Sequence, residues 1–217
     1  ALPGLHHPQG PSLPQGLNPG EPDTVSAFVY LASASPRRRE LLAQLGVRCE
    51  VLPVGVDERP RPGETAADLV CRLASAKAVA GIAVRPASAP APVVAADPAV
   101  ALGTELFGKP VDEADATRIL NRLSGRTHAV YTAVAVADGG RERVQLSRSE
   151  VTFRPLGSAE IAAYWRTGEP ADKAGAYAIQ GRGAQFIADL SGSYSGVMGL
   201  PLFETARLLA FFGCELL

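Results

Sequence analysis

The stretch FVYLASASPRRRELLAQLGV, which runs from Phe28 to Val47, decides the fold of this chain. It begins with an apolar run that is typical of a buried strand, and leucines at helical spacing follow after Pro36. Ser35 is a favourable N-cap, Pro36 fits the first helical position, and Gly46 suits the residue just past the helix end. The stretch therefore predicts a strand, a tight turn and a helix in direct succession.

The predicted turn carries residue types that bind anions. Ser33 and Ser35 supply hydroxyl groups, and residues 37–39 are arginines in the first turn of the predicted helix. Backbone N–H groups at a helix N-terminus are free to donate, and guanidinium groups pair well with phosphate oxygens. The turn is therefore a candidate phosphate site, and a surface arginine cluster after a capped turn is the alternative that this stretch alone leaves open.

The bulk composition argues against several kinds of partner. The 217 residues carry a net charge of −1, so no global basic field favours a nucleic-acid polymer. No apolar run approaches the ~18 residues of a membrane-spanning helix, so no membrane partner is expected. The cysteines, Cys49, Cys71 and Cys214, are far apart and lack metal-site spacing, which favours a reducing, cytoplasmic location.

The beginning of the chain differs in composition from the rest. Residues 1–26 are rich in Pro, Gly, Gln and Asn and poor in large apolar side chains, so we expect a disordered tail or an extension there. Residues 27–217 have the length and apolar content of a single domain. The chemistry of the protein is therefore expected in residues 27–217.

Strand and helix patterns alternate through this predicted domain. Thr65 and Asp68 form a capping-box pattern, which predicts a helix that runs to about Val84. The glycine-rich turn at residues 138–140 lies between two alternating apolar segments and predicts a β-hairpin. Because a hairpin interrupts the alternation, the sequence predicts an α/β fold with a mixed sheet.

Two further local predictions concern the end of a buried strand and a loop. The wholly apolar residues 93–96 predict a short buried strand with Asp97 at its carboxyl tip. The glycine-rich residues 192–199 predict a loop. A carboxylate at the end of a buried strand is a candidate functional group, and a simple turn former is the alternative.

Charged residues at loops and element ends suggest a site for a metal-bound triphosphate. The cations and carboxylates in question are Arg37, Arg38, Lys77, Lys109 and Lys173, with Asp57, Glu58, Asp97 and Asp172. Cations neutralise phosphate oxygens, while carboxylates hold Mg²⁺ or orient a water molecule. The sequence has no Walker A motif and no dinucleotide-binding glycine motif. Ordinary solvated surface charges are the alternative for these residues.

Several segments, in a fixed order, carry a resemblance to a known family. They are LASASPRRRELLAQLGV, VDERPRPGETAADLVCRLASAKA, VVAADPAV, FGKPVDEADATRILNRLSGRTHAVYTAV, TGEPADKAGAYAIQGRGAQFI and GSYSGVMGLPLFET. From about Val29 to Leu209 the chain resembles the Maf family of nucleoside-triphosphate pyrophosphatases. The paired arginines after Ser-Pro and the IQG segment make it most similar to the dTTP/UTP pyrophosphatase branch.

The resemblance implies a fold and a reaction. The fold is the Maf/Ham1 (ITPase-like) α/β architecture, a long curved mixed sheet flanked by helices, with two lobes around a central cleft. The reaction is metal-assisted attack of water on the α-phosphate of dTTP, UTP or a modified pyrimidine nucleotide, which yields the monophosphate and pyrophosphate. Mg²⁺ or Mn²⁺ as cofactor, a homodimer, a house-cleaning role and a link to cell-division arrest are further expectations from the resemblance.

The resemblance also implies roles for individual residues. Asp97 matches the proposed catalytic proton acceptor and, together with Glu58, is a candidate metal ligand. The positions that match substrate-binding residues are Ser33, Arg37, Arg38, Lys77, Lys109 and Gln180. The positions that match specificity residues are Arg37, Pro98 and Gln180.

Two residues depart from the family pattern. Pro98 stands where the family usually has Thr, which removes a hydroxyl group and a backbone N–H group beside Asp97. Ala178 stands where Gly is usual, and it would constrain its loop if the backbone there needed a positive φ. A nucleotide-binding regulator with weak or no catalysis is therefore an alternative function, and a division-related interaction protein that ignores nucleotides is a third.

Overall fold

A mixed sheet of seven strands forms the centre of the protein in the computed structural model, which describes residues 27–216. The strands are β1 (Phe28–Leu31), β2 (Arg48–Val51), β3 (Val93–Leu102), β4 (Glu105–Phe107), β5 (Thr127–Ala137), β6 (Glu142–Phe153) and β7 (Ile187–Ser191). The helices are α1 (Pro36–Gln44), α2 (Ala66–Val84), α3 (Glu113–Leu123), α4 (Ser158–Trp165), α5 (Tyr194–Met198) and α6 (Leu202–Phe211). The predicted tail, residues 1–26, lies outside the described residues.

The sheet combines parallel and antiparallel pairing. Its strand order is β2-β1-β3-β5-β6-β7, and β4 pairs with the last residues of β3. Strand β1 is parallel to β2 and β3, because helices α1 and α2 carry the chain back between them. Strands β3, β5, β6 and β7 pair antiparallel, with the predicted hairpin between β5 and β6. The predicted α/β class with a mixed sheet is confirmed.

Strand β3 continues through Asp97, so the prediction that a short strand ends there was wrong. Strand β5 pairs with β3 from Val93 to Ala101, and this long partner keeps the backbone extended past Pro98. On its other edge, β3 pairs with β1 only at residues 93–94 and with β4 only at residues 100–102. Within the described chain, residues 95–99 therefore have no strand partner on that edge, and this interval is called the β3 gap below.

Pro98 fits inside β3 because its nitrogen faces the β3 gap. The backbone N–H of Tyr30 donates to the carbonyl oxygen of Pro92 over 2.8 Å, and that of Ala32 donates to Val94 over 2.9 Å. Backbone groups alternate sides along a strand, so even-numbered residues of β3 face this edge. Pro98 therefore takes no hydrogen bond away from the β3–β5 ladder, which is the condition for proline inside a sheet.

Helix α5 occupies a segment that the sequence predicted as a loop. The Ser193 hydroxyl accepts from the backbone N–H of Gly196 over 2.9 Å, which caps the start of this short helix. Gly199 ends it with a φ of 116°. The helix has only five residues and glycines on both sides, so the sequence shows no helical periodicity there and a loop was predicted.

The apolar core forms three clusters around the sheet. One lies between α3, α4 and the ends of β3, β5 and β6, and the second joins α1 and α6 to one face of the sheet. The third lies under α2 on the opposite face. A cleft opens between the first cluster and the other two, beside the β3 gap. None of the helices within residues 27–216 is long and apolar enough to cross a membrane.

Candidate active site

The cleft brings the predicted site residues together. It has a volume of about 870 Å³, which is in the range that binds a nucleotide-sized ligand. Its walls contain every residue for which the resemblance implies a role in catalysis, binding, specificity or metal coordination: Ser33, Arg37, Arg38, Glu58, Lys77, Asp97, Pro98, Lys109 and Gln180. Their shared location is a finding, and their individual roles stay predictions.

The turn after β1 fixes Arg38 by hydrogen bonds at two of its nitrogens. Nη1 of Arg38 donates to the Ser33 hydroxyl over 2.7 Å, and Nε donates to the carbonyl oxygen of Gly199 over 2.8 Å. Burial lowers the pKa of Arg38 from its usual value, but an arginine stays charged at neutral pH. The turn therefore holds a charged guanidinium in a fixed position at the cleft wall.

Ser35 lies at the N-cap position of α1, but its side chain does not cap the helix as predicted. Instead, the backbone N–H of Ser35 donates to the Ser33 hydroxyl over 3.2 Å. The same hydroxyl also accepts from Arg38, so Ser33 organises the turn. The start of α1 therefore has no side-chain cap, and the Ser33 hydroxyl orders the turn that precedes it.

Lys77 connects the two candidate metal ligands. Its ammonium group contacts Glu58 Oε1 at 2.6 Å and also pairs with the carboxylate of Asp97. The side chains of Lys77 and Asp97 are each only 12% exposed, whereas that of Glu58 is 58% exposed. Helix α2 thus places Lys77 over the floor of the cleft, and its low exposure and two carboxylate partners distinguish it from a solvated surface lysine.

The surroundings shift the pKa values of the two carboxyl groups in opposite directions. Burial raises the pKa of Asp97, and the positive charges of Lys77 and Arg38 partly offset this effect. The hydrogen bond from Lys77 is the main cause that lowers the pKa of Glu58. A pair of carboxyl groups with separated pKa values is typical of sites where one of them handles a proton.

Asp57 is not part of the cleft, although it adjoins Glu58 in the sequence. Arg59 donates to both of its oxygens, from Nε over 2.9 Å and from Nη2 over 2.8 Å. The Arg59 hydrogen bond also lowers the pKa of Asp57. The carboxylate is therefore engaged on the exposed outer side of the loop, and it provides a natural control for Glu58.

More exposed charges line the mouth of the cleft. Arg37 Nη1 lies 3.8 Å from Asp172 Oδ2, and the Lys173 ammonium contacts the same carboxylate. Lys109 and Gln180 are exposed on the cleft wall. Lys109 and Gln180 are therefore accessible to a ligand that enters the cleft, whereas Arg37 and Lys173 are paired with Asp172.

Sequence reasoning missed the group that shapes the loop of Gln180. The hydroxyl of Tyr164 donates to Glu169 Oε1 over 2.6 Å. The backbone N–H groups of Arg182 and Gly183 donate to the same carboxylate over 2.9 and 3.0 Å. A Cβ atom on Gly181 would overlap with this carboxylate, so the glycines on either side of Arg182 were the available signal.

The concern about Ala178 does not apply to this structure. The non-glycine residue with a positive φ among residues 27–216 is Ala176, at 57°, and not Ala178. The backbone N–H of Ala178 donates to the Tyr164 hydroxyl over 3.1 Å. Alanine at this position is therefore compatible with the loop that presents Gln180.

The cleft is thus a cation-rich nucleotide-sized site, and comparison with known proteins identifies the family to which it belongs. The family model described as "Maf-like protein" matches residues 28–212. The chain therefore belongs to the Maf family.

Curated relatives within the family share about half of their residues with this chain. The dTTP/UTP pyrophosphatase of Aromatoleum aromaticum is 54% identical over 203 residues, which cover 88% of this chain and 98% of that protein. The dTTP/UTP pyrophosphatase of Methylococcus capsulatus is 57% identical over 185 residues, or 85% of this chain and 91% of that protein.

A solved structure is also similar to this chain, at a lower level. It is a nucleoside-triphosphatase / dITP/XTP pyrophosphatase from Mycobacterium abscessus, with 17% identity and a TM-score of 0.42. The alignment covers 85% of this chain and 94% of that one. The identity and the TM-score are too low for this structure to bear on fold or function, so the family assignment rests on the sequence match.

Proposed function

We propose that this protein hydrolyses dTTP and UTP to the nucleoside monophosphate and pyrophosphate. The observation that carries the proposal is the buried Asp97 with a raised pKa, in one cleft with the cations Arg37, Arg38 and Lys109. A carboxylate that takes a proton and cations that neutralise phosphate oxygens are what phosphoanhydride hydrolysis needs. The similarity to proteins named dTTP/UTP pyrophosphatase supports the same reaction.

Asp97 acts as the proton acceptor in the proposed mechanism. Its carboxylate takes a proton from a water molecule as the water oxygen forms a bond to the α-phosphorus. The bond from the α-phosphorus to the oxygen that bridges to the β-phosphate breaks, and pyrophosphate leaves with that oxygen. Arg37, Arg38 and Lys109 bind the phosphate oxygens and stabilise the charge on the leaving group.

The residues present fit a divalent cation such as Mg²⁺ or Mn²⁺. Glu58 and Asp97 already share a positive group, the Lys77 ammonium, so their placement attracts a cation. No three His, Cys, Asp or Glu side chains within residues 27–216 form a metal site by themselves. Two carboxylates with substrate phosphate oxygens are an arrangement that suits Mg²⁺. When bound, the ion would polarise the phosphate and lower the pKa of a water molecule.

Base recognition is proposed for Gln180, Arg37 and Pro98. The amide of Gln180 has both a donor and an acceptor, which match the N–H and carbonyl groups on the edge of uracil and thymine. The Glu169 contacts hold the loop that carries this amide. The homodimer, the cytoplasmic location and the link to cell division also remain proposals from the resemblance.

An assay with a nucleotide panel tests the proposal. Purified protein with Mg²⁺ or Mn²⁺ is incubated with canonical and modified nucleoside triphosphates, and pyrophosphate release is measured. Turnover of dTTP and UTP above the purine nucleotides is the expected result. Absence of turnover with every nucleotide and both metals, despite binding by calorimetry, would overturn it in favour of the regulator.

Two aspartates, Asp97 inside the cleft and Asp57 outside it, supply matched variants. Asp97→Asn should reduce kcat by at least about 10²-fold, because the proton acceptor is lost. Asp57→Asn should leave kcat and KM unchanged, because that carboxylate faces Arg59 outside the cleft. Full activity of Asp97→Asn would remove Asp97 from the role of proton acceptor.

A further inference from the structure

The segment between β2 and α2 carries Glu58 without the support of regular secondary structure. Residues 52–61 form neither helix nor strand. The side chain of Glu58 is 58% exposed, so burial does not fix its position. The segment nevertheless places this carboxylate in the cleft, in contact with Lys77 and in the same wall as Asp97. Some other contact must therefore hold the backbone at this point.

Arg72 of α2 bonds to the backbone on both sides of Glu58. Its Nη1 donates to the carbonyl oxygen of Asp57 over 3.4 Å, and its Nη2 donates to the carbonyl oxygen of Arg59 over 3.1 Å. Within the described chain, these are the two hydrogen bonds that join the backbone of residues 53–64 to a residue outside that segment. The segment is thus attached to α2 at the two residues that flank the candidate metal ligand.

Glu64 fixes the orientation of the Arg72 guanidinium. Nε of Arg72 donates to Glu64 Oε1 over 2.6 Å, and Nη2 donates to Glu64 Oε2 over 2.8 Å. The side chain of Glu64 is only 8% exposed, and its Oε2 also accepts from the backbone N–H of Arg61 over 2.9 Å. A bidentate pair of this kind sets the plane of the guanidinium, and the donors that remain are directed at the two carbonyl groups.

Helix α2 therefore holds Glu58 at two points. Lys77 contacts its carboxylate, and Arg72 holds the backbone around it. A divalent cation and the Lys77 ammonium are both positive and compete for the same carboxylate oxygens. The contact from Lys77 is weakened when such a cation binds, whereas the backbone contacts from Arg72 are independent of it. The Arg72 contacts are thus the ones that keep the carboxylate in the cleft.

We propose that Arg72, oriented by Glu64, is a positioning residue that keeps Glu58 in place to bind the divalent cation. This inference rests on the proposed function, in which Glu58 is a ligand of that cation. Arg72 does not line the cleft, so it acts through the backbone of Glu58 and not on the substrate. Lysine cannot replace it, because a single ammonium group lacks the planar fork that serves a carboxylate and two carbonyl groups together.

Hydrogen–deuterium exchange without metal or nucleotide tests the attachment of the segment. In Arg72→Lys, which keeps the positive charge, the amides of residues 53–64 should exchange about fivefold faster, while those of β5 keep their rates. Arg59→Gln is the matched control, because the Arg59 side chain bonds to Asp57 on the exposed side of the segment. Its exchange should equal that of the unmodified chain. Unchanged exchange in both Arg72→Lys and Arg72→Gln would overturn the proposal, whatever the catalytic activity.

Binding of Mn²⁺ tests the connection from Arg72 to Glu58. It is measured by electron paramagnetic resonance in the presence of a non-hydrolysable α,β-methylene analogue of dTTP. Arg72→Lys should raise the dissociation constant of Mn²⁺ by about fivefold, and Glu58→Gln by about tenfold. The double variant should bind Mn²⁺ as Glu58→Gln alone does, because Arg72 acts through Glu58. Arg59→Gln should bind it as the unmodified chain does.

The outcomes separate this inference from the proposed function. An unchanged Mn²⁺ dissociation constant in Arg72→Lys, or effects of Arg72→Lys and Glu58→Gln that add in the double variant, would overturn the positioning role. Unchanged Mn²⁺ binding in Glu58→Gln would overturn it too, because Glu58 would then not be a ligand. A protein that releases no pyrophosphate but shows the expected exchange and Mn²⁺ binding would refute the proposed hydrolysis and support the positioning role.

Discussion

Lys77 of α2 and Asp97 of β3 form an ion pair on the floor of the cleft, with only 12% of either side chain exposed. The same ammonium group contacts Glu58 at 2.6 Å. Because Lys77 and Asp97 are in contact and both are largely buried, the protonation of Asp97 depends on Lys77. The pH dependence of the reaction therefore reports on this ion pair.

Lys77→Met should move the acid limb of the kcat/KM profile to higher pH. Burial raises the pKa of Asp97 and Lys77 counteracts the increase, so loss of the ammonium raises this pKa further. The proton acceptor must be ionised, so activity falls as the pH drops through its pKa. Pyrophosphate release at low nucleotide concentration, measured from acidic to neutral pH, gives the limb. Arg39→Met, at an exposed neighbour of the arginine pair, should leave the limb in place. An unmoved limb in Lys77→Met would assign it to another group.

Pro98→Thr should change nucleotide preference with little effect on stability. The nitrogen of Pro98 faces the β3 gap, so the free energy of unfolding should change by no more than about 1 kcal/mol in a denaturant titration. Threonine adds a hydroxyl and a backbone N–H group at the cleft, and the ratio of kcat/KM between dTTP and purine nucleotides should shift. Ala99→Pro is the matched control, because its N–H points to β5 and the variant should be clearly less stable. Hydrolysis that occurs only in Pro98→Thr would favour the regulator.

Glu169→Gln should weaken nucleotide binding without changing the chemical step. The carboxylate holds the backbone N–H groups of Arg182 and Gly183, and hydrogen bonds to a charged group are worth about 1.5–3 kcal/mol each. A loosened loop should raise KM for dTTP several-fold and leave the acid limb of the kcat profile unchanged. Glu160→Gln removes a surface partner of Arg154 and should leave KM as it is. Equal KM values for the two variants would contradict a positioning role for Glu169.

His128→Phe should flatten the dependence of stability on pH. His128 is buried, and burial lowers its pKa to about 4 from 6.5. The unfolded chain therefore binds a proton that the folded one does not between these values, so stability is complete above 6.5 and is lost as the pH falls towards 4. The difference between the folded and unfolded pKa values of His128 corresponds to about 3 kcal/mol of folding stability. Phenylalanine keeps the ring packing against Phe153 but cannot be protonated. Urea unfolding of the unmodified chain and of His128→Phe across this pH range gives the slope of the unfolding free energy against pH for each. Equal slopes would refute the assignment of this pH dependence to His128.

Local patterns in the sequence predicted the elements that local forces determine. Thr65 caps α2 as its pattern indicated, with its hydroxyl accepting from the N–H of Asp68 over 3.2 Å. Asp112 caps α3 in the same way over 2.8 Å. Side chains within four residues decide such features, so they can be read from a single chain.

Long-range contacts decide the features that were missed. The apolar residues 93–96 predict a short strand with Asp97 at its tip, but nine consecutive pairs with β5 keep β3 extended through Pro98. The positioning contacts of Glu169 are also long-range, because its partners Arg182 and Gly183 follow more than ten positions later. The ion pairs of Lys77 reach across 19 and 20 positions to Glu58 and Asp97. Nothing in a single sequence specifies contacts at such separations without the family resemblance.

The β3 gap also provides a natural reporter of cleft occupancy. Of the even-numbered residues that face it, Pro98 has no amide proton, so Ala96 alone contributes one. Its neighbours in the strand, Ala95 and Asp97, have their amide protons locked in the ladder with β5. Ala96 is itself buried, so hydrogen–deuterium exchange at its amide requires an opening of the β3 gap, which adjoins the cleft at Asp97 and Pro98, while exchange at its neighbours requires β3 to separate from β5. The exchange rate of Ala96 therefore reports on a nucleotide bound in the cleft, and the exchange rates of Ala95 and Asp97 report on the stability of the sheet.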